Sequence, residues 1–192
     1  IWEPDETREQ CIRVLRYVRD VHWVQPDLGG VVLWRSTSRK LVIMSKEQVV
    51  IAGDGQMGLA MASAAVEAGA ERIQIWGPFE SSVSELQRTR ESPRLPGWSI
   101  PERIELDHDP SVFAQGTILV NAIPTQFMRS VWSRIAPFAP AEAAIISTAK
   151  GLEIGSGARP SEILLESLEN PTVCALSGPT IAAELIRKLP AL

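Results

Sequence analysis

The run Val49-Val50-Ile51-Ala52 leads without a break into Gly53-Asp54-Gly55-Gln56-Met57-Gly58, and residues 59–69 then read as a helix closed by Gly69. A strand, glycines at GxGxxG spacing and a helix, in that order, leave few folds open, because each glycine has its own task. Gly53 lets the chain leave the strand sharply. Gly55 lets a backbone N–H approach a pyrophosphate with no Cβ in the way. Gly58 lets the helix sit close to its strand. The unpaired N–H groups of the first helical turn then face an anion, helped by the helix dipole. The feature points to nucleotide binding. The alternative is a tight strand-to-helix turn whose glycines serve packing alone.

The rest of the chain alternates in the same way. Residues 72–76 predict a second strand ending at Gly77-Pro78, and residues 81–90 a helix. Pro93, Pro96, Gly97 and Pro101 mark a long loop. Strands are predicted at residues 103–106, 117–123, 144–147 and 173–176, and helices at residues 126–135, 161–168 and 180–188. On the helix over 126–135, Phe127, Val131 and Ile135 fall on one side. Alternating strands and helices predict an α/β fold: a Rossmann-type, doubly wound, mostly parallel sheet with helices on both faces. Right-handed crossovers put the strand C-termini on one edge. Four polar segments, residues 53–58, 121–126, 147–153 and 177–180, each follow a strand and so gather around one crevice there.

Residues 1–43 differ from the remainder. They precede Met44-Ser45-Lys46-Glu47-Gln48, where a dinucleotide-binding domain over 44–192 would begin, and they hold Trp2, Trp23 and Trp34 of the six tryptophans. A helix over residues 6–21 and short strands at 30–34 and 41–44 fit their pattern. They are read as an N-terminal extension of unknown role. The net charge of −4 gives no general case for nucleic-acid or membrane-surface binding. No apolar run is long enough to span a bilayer. With no signal-peptide layout at the start, a cytoplasmic protein is expected. Cys11 and Cys174 lack CxxC spacing and sit among apolar residues, which fits buried reduced thiols. His22 and His108 lack metal-ligand spacing, so no metal site is expected.

Lys150, in Ser147-Thr148-Ala149-Lys150-Gly151-Leu152-Glu153, is the only lysine between Lys46 and Lys188. Just past a strand, its ammonium suits an anion or a carbonyl oxygen; a solvated loop lysine is the alternative. In Ser177-Gly178-Pro179-Thr180, Thr180 can act as an N-cap with free N–H groups behind it for an anion, or as a simple cap. Pro124 suits a helix start. Phe127 is either a wall against a nicotinamide or ribose, or core. Arg90 and Arg94 either steer anions toward the crevice or are ordinary surface arginines.

Taken in order, residues 53–58, Trp76-Gly77, Pro93-Arg94-Leu95-Pro96-Gly97, Ile123-Pro124, Thr148-Ala149-Lys150-Gly151-Leu152-Glu153 and Ser177-Gly178-Pro179-Thr180 resemble the N-terminal domain of the NAD(P)-dependent glycerol-3-phosphate dehydrogenase family. The resemblance runs from about Val49 to Pro190. It implies an oxidoreductase of phospholipid biosynthesis that interconverts dihydroxyacetone phosphate and sn-glycerol 3-phosphate with NAD or NADP. By family position, Gly53, Gly55, Gln56, Met57 and Gly58 hold the pyrophosphate. Ala182 lies toward the nicotinamide end, Lys150 contacts cofactor and substrate, and Gly178 and Thr180 lie beside the substrate. Other classes weighed are a non-catalytic nucleotide-binding or regulatory module and a related 3-hydroxyacid or 6-phosphogluconate-type dehydrogenase.

Several positions depart from the family pattern. Gln56-Met57 replaces a frequent Ser-Trp, Ala149 precedes Lys150 where Thr-Lys is usual, and Ala183 stands where many members have lysine. Neither an acid for a ribose 2′-hydroxyl nor an arginine for a 2′-phosphate directly follows Trp76-Gly77, which leaves NAD against NADP open. Family members continue into a mostly helical second domain that supplies the proton-transfer lysine, so no catalytic residue is assigned here. Cofactor binding with little turnover is expected of this chain. An apolar face left exposed where that domain docks would invite association, such as a homo-oligomer.

Overall fold

The computed structural model describes residues 22–24, 31–33, 47–169, 171–178 and 180–189. Strands β1 (His22–Val24) and β2 (Val31–Leu33) pair antiparallel, His22 opposite Leu33. β2 falls inside the strand expected at 30–34; β1 was not expected. The helix over 6–21, the strand at 41–44 and Cys11 lie outside the described residues.

Six further strands form one sheet: β3 (Gln48–Ala52), β4 (Arg72–Trp76), β5 (Ile104–Asp107), β6 (Ile118–Asn121), β7 (Ala144–Ser147) and β8 (Thr172–Ala175). Their spatial order is β5-β4-β3-β6-β7-β8, and every neighbouring pair is parallel. This is the doubly wound Rossmann order. Chain direction across the sheet reverses between β3 and β6, where Ala52 lies beside Asn121. A crevice opens at such a reversal, outside the strand C-termini.

The apolar runs predict burial on both faces, and alternate residues divide between two cores. Val49, Ile51, Ile73, Ile75, Ile118, Val120 and Ile146 pack beneath α1 (Gln56–Ala68), α2 (Glu80–Thr89) and α5 (Ala182–Ile186). Val50, Trp76, Leu119 and Ile145 pack against α3 (Met128–Ile135), α4 (Pro160–Ser167) and a 3-10 turn at Pro110–Gln115. In this second core, Phe113 meets Trp76 edge-on at 5.8 Å and Trp132 at 6.4 Å. Cys174 is buried in the first.

Most element ends differ from expectation by one or two residues, as helix fraying allows. Helix α1 begins at Gln56, three residues before the expected 59, and three further differences bear on the site or its packing. The Pro110–Gln115 turn, capped by Asp109 accepting from Ser111 N–H at 2.9 Å, was not expected. Phe127 is not on the face of Val131 and Ile135. It closes a 3-10 turn (Thr125–Phe127) ahead of α3 and stands 61% exposed, while Met128, Val131, Trp132 and Ile135 form the buried stripe. A 3-10 turn advances about 120° per residue, so the 3.6-residue phase breaks there. Finally, α5 is only five residues long. Its N-cap is Ile181, with no side-chain cap, so Thr180 does not cap it.

The glycine turn is the tightest spot in the fold. Gly53 has φ +115°, a region that L side chains avoid, and donates to Trp76 O at 2.8 Å. A Cβ on Gly58 would lie 1.9 Å from Gly53 O, whereas one on Gly55 would meet nothing within 4 Å. Gly58→Ala is therefore expected to lower the unfolding free energy by about 2–3 kcal/mol through overpacking. Gly55→Ala should cost about 1 kcal/mol or less, the difference between glycine and alanine at an N-cap. Urea denaturation of the two variants measures the contrast.

Candidate functional site at the switch-point crevice

Helix α1 begins at the crevice with Gly55 as N-cap. No side chain caps it, and no acidic residue stands in its first turn. The opening N–H groups of a helix have no intrahelical partner. At Gln56, Met57 and Gly58 those donors end the 13-residue α1 without a side-chain acceptor, beside a glycine whose missing Cβ leaves open space. That arrangement suits a phosphate or pyrophosphate. Met57 is half-buried against the first core. The exposed Gln56 side chain donates through Nε2 to Arg94 O, tying the turn to the proline-rich loop.

The opposite wall is built around Asn121, the last residue of β6, which is fully buried. Its Oδ1 accepts from Trp132 Nε1 at 2.9 Å, and its Nδ2 donates to Ser147 Oγ at 3.1 Å. Asn121 O accepts from both Thr148 N–H and Thr148 Oγ1, each at 2.9 Å. One loop further out, Thr125 Oγ1 donates to Lys150 O at 2.7 Å. Gln126 grips the same segment twice: Nε2 donates to Leu152 O at 2.8 Å, and Oε1 accepts from Ile154 N–H at 2.9 Å. The polar residues after β6 and β7 thus fasten one loop to the next.

Lys150 is an exposed loop lysine whose ammonium nevertheless has partners. Its Nζ donates to Gly178 O at 3.0 Å and to Thr180 O at 3.1 Å. An ammonium has three donors, so one remains for a ligand. Lys150, Gly178 and Thr180, proposed from sequence as one substrate-binding group, are therefore in direct contact. Gly178 has φ +138°, and a Cβ there would meet open space. Phe127, Leu152, Ile154 and Ile181 are exposed apolar side chains on these same loops. Ala182 is buried in the first core, so its side chain faces inward rather than toward the crevice.

Of the two arginines read as anion-steering, Arg90 is committed elsewhere. It sits left-handed at the C-cap of α2, and its Nη2 donates to Pro101 O at 2.6 Å and Ile104 O at 2.8 Å. Arg94 lines a groove of about 610 Å3 between the glycine turn, α2 and the loop over 91–98. Asp54 and Ser82 line it too, and sequence reasoning gave neither a role. The only available signal was an acid between the first two glycines of the turn.

A charge network supports the outer rim. Arg129 on α3 binds Glu153 at 2.8 Å and Glu166 of α4 at 2.6 Å, and Ser156 Oγ donates to Glu153 at 2.5 Å. The Ser156 hydroxyl, and then Arg129, hold the Glu153 carboxyl below the usual glutamate range.

Residues 48–192 match the family model described as NAD-dependent glycerol-3-phosphate dehydrogenase N-terminus. A protein of Rhodopseudomonas palustris (strain BisA53) named as an NAD(P)+ glycerol-3-phosphate dehydrogenase is 32% identical over 146 residues, covering 76% of this chain and 44% of that protein. The crystal structure of glycerol-3-phosphate dehydrogenase from Coxiella burnetii superimposes with a TM-score of 0.68 at 26% identity, covering 76% of this chain and 45% of that one. The Saccharomyces cerevisiae enzyme gives a TM-score of 0.63 at 27% identity, covering 75% of this chain and 45% of that one. The chain thus spans less than half the length of the curated relatives it matches.

Two outcomes are expected at this wall. Asn121→Ala strands the buried Trp132 N–H and should cost about 1–3 kcal/mol, with a changed near-UV circular dichroism signal from Trp132. The lowered Glu153 carboxyl adds stability that is complete above the ordinary glutamate pKa and is lost as pH falls through the lowered folded value. Glu153→Gln should therefore unfold at a lower temperature near neutrality and show a shallower decline on acidification, read as melting temperature against pH.

Proposed function

Since the chain belongs to the NAD-dependent glycerol-3-phosphate dehydrogenase N-terminus family, we propose that it is the dinucleotide-binding part of an enzyme interconverting dihydroxyacetone phosphate and sn-glycerol 3-phosphate. The observation that carries this reading is the open N-terminus of α1 at the sheet's switch point, with Lys150 on the same edge holding Gly178 and Thr180. Bound NAD or NADP would accept or supply the hydride.

The chain's own residues divide the remaining work. Gln56, Met57 and Gly58 N–H groups take the pyrophosphate, and Gly53 and Gly55 keep side chains away from it. Lys150, with one donor left, takes a substrate or cofactor oxygen, and its two carbonyl contacts fix where that donor points. Gly178 leaves room for the substrate beside it. Phe127, exposed at the rim, is available as a wall for the nicotinamide end. Ala182, its side chain buried, would act there through its backbone alone.

Residues 44–192 form the dinucleotide-binding domain in this reading, and residues 1–43 an extension of unassigned role. Residues 1–192 by themselves are expected to bind the dinucleotide with little turnover, since the alcohol proton needs a partner that the family resemblance puts in a second domain. The exposed apolar side chains of the rim suit a surface that such a domain or a second copy covers. No helix among the described residues is long and apolar enough to cross a membrane, and a cytoplasmic location fits a small phosphorylated substrate.

Calorimetric titration with NADH and with NADPH tests the reading. Saturable binding of at least one is expected. Gly55→Trp should abolish it while leaving the circular dichroism spectrum intact, because that side chain has room to fold outward into the ligand's path. Binding of neither dinucleotide to the folded chain would overturn the proposal.

A further inference from the structure

Asp54 is the least explained charged group in the fold. It sits between the first two glycines of the turn, at 6% relative exposure. A carboxylate so deeply buried ordinarily has a cation or several donors around it. Asp54 has neither. Among the described residues its one hydrogen-bond partner is the hydroxyl of Ser82, which donates to Oδ2 at 2.5 Å. No described arginine or lysine pairs with it. The first turn of α2, where Ser82 stands, contributes the positive end of that helix's dipole. Most of the carboxylate's acceptor capacity stays unused, and the group lines the groove of about 610 Å3.

A second observation concerns Gly77, the first residue past β4. A Cβ there would lie 3.1 Å from the Asp54 carboxyl carbon and 3.1 Å from Oδ2. In dinucleotide-binding sheets the residues just past the second strand carry the acid that accepts from the adenosine ribose. Here that place is a glycine. Its missing Cβ leaves room for Val83 Cγ2, which would lie 2.5 Å from it, and for the carboxylate reaching across from the turn.

Building on the dinucleotide reading above, we propose that Asp54 is the ribose-recognising acid of this chain, accepting from the adenosine 2′-hydroxyl and so selecting NAD(H) over NADP(H). The vicinal hydroxyls of an unphosphorylated ribose are the donors the carboxylate lacks. A 2′-phosphate offers none and brings charge of the same sign beside the carboxylate. The groove's other charges are Glu85 and Glu91 against Arg94, so acids outnumber bases three to one around it. Ser82 holds the carboxylate in place. The glycines of the turn determine that a dinucleotide binds; Asp54 determines which one.

The test compares dissociation constants of NADH and NADPH by calorimetry for the full chain, for Asp54→Asn and for Asp54→Ser, each checked for native circular dichroism. The pair adenosine 5′-monophosphate and adenosine 2′,5′-bisphosphate is titrated alongside as a probe of the ribose alone. The expected result is NADH bound at least tenfold more tightly than NADPH, with that ratio falling below about threefold in both variants and the two adenosine probes following the same trend. Equal or tighter NADPH binding by the full chain would overturn the proposal, and loss of that binding in Arg94→Ala would give the groove to a 2′-phosphate instead. A ratio unchanged in both folded variants would also overturn it, while leaving the dinucleotide reading intact. Failure of every ligand to bind would remove the dinucleotide reading and this proposal together.

Discussion

The contact on which the crevice depends is the approach of α1 to the turn that precedes it. Gly58 sits so close to the Gly53 carbonyl that even one methyl group would overlap it. This closeness brings the start of α1 to the end of β3, and β3 is flanked by β4 and β6 at the sheet's centre. A helix end carries partial positive charge only over its first turn. Displacing α1 outward by an ångström or two would move those donors off the sheet edge, away from Lys150 and away from Asp54. The left-handed φ of Gly53 makes the same demand from the strand side.

Around that contact the chain uses side-chain hydrogen bonds to backbone groups in place of regular structure. Asn121 and Thr148 reach groups at the ends of β7 and β6, and Thr125 and Gln126 reach main-chain groups on the loop after β7. Lys150 reaches two carbonyls beyond β8. Loops at the end of a parallel sheet have no ladder partners, and unpaired buried amide and carbonyl groups are costly. The polar residues that follow β6 and β7 meet that demand, and in doing so fix the loops that line the crevice.

Much of this was legible in the sequence because both cores are apolar on alternate strand positions. The strands at 72–76 and 144–147 have the bounds read from the sequence: the second is a continuous apolar run up to Ser147, and the first keeps Ile73, Ile75 and Trp76 apolar around a buried Gln74. What escaped was set by phase or by distance. Phe127 is spaced like Val131 and Ile135, yet a 3-10 turn rotates it out of their stripe. The Pro110–Gln115 turn offers only Val112 and Phe113 as buried residues, too few to show a period. Thr180 has the chemistry of a cap, but the helix starts one residue late. Asp54 was unreadable for another reason. Its neighbours Ser82 and Gly77 are more than twenty residues away, so only the folded sheet shows an acid where β4 carries none.

Gln56 joins two parts of the crevice that a nucleotide would have to bridge. Its side-chain amide donates to Arg94 O, which links the glycine turn to the wall of the adjacent groove. The loop over 91–98 is also held by its own hydrogen bonds, Leu95 N–H to Ser92 O and Trp98 N–H to Leu95 O, and by the burial of Leu95, so the conformational entropy of ordering it is lost when the chain folds. Rigid recognition of this kind favours a small change in shape on association and a long residence, at the expense of tolerance. A loop ordered in this way presents the same wall to every ligand that reaches the groove.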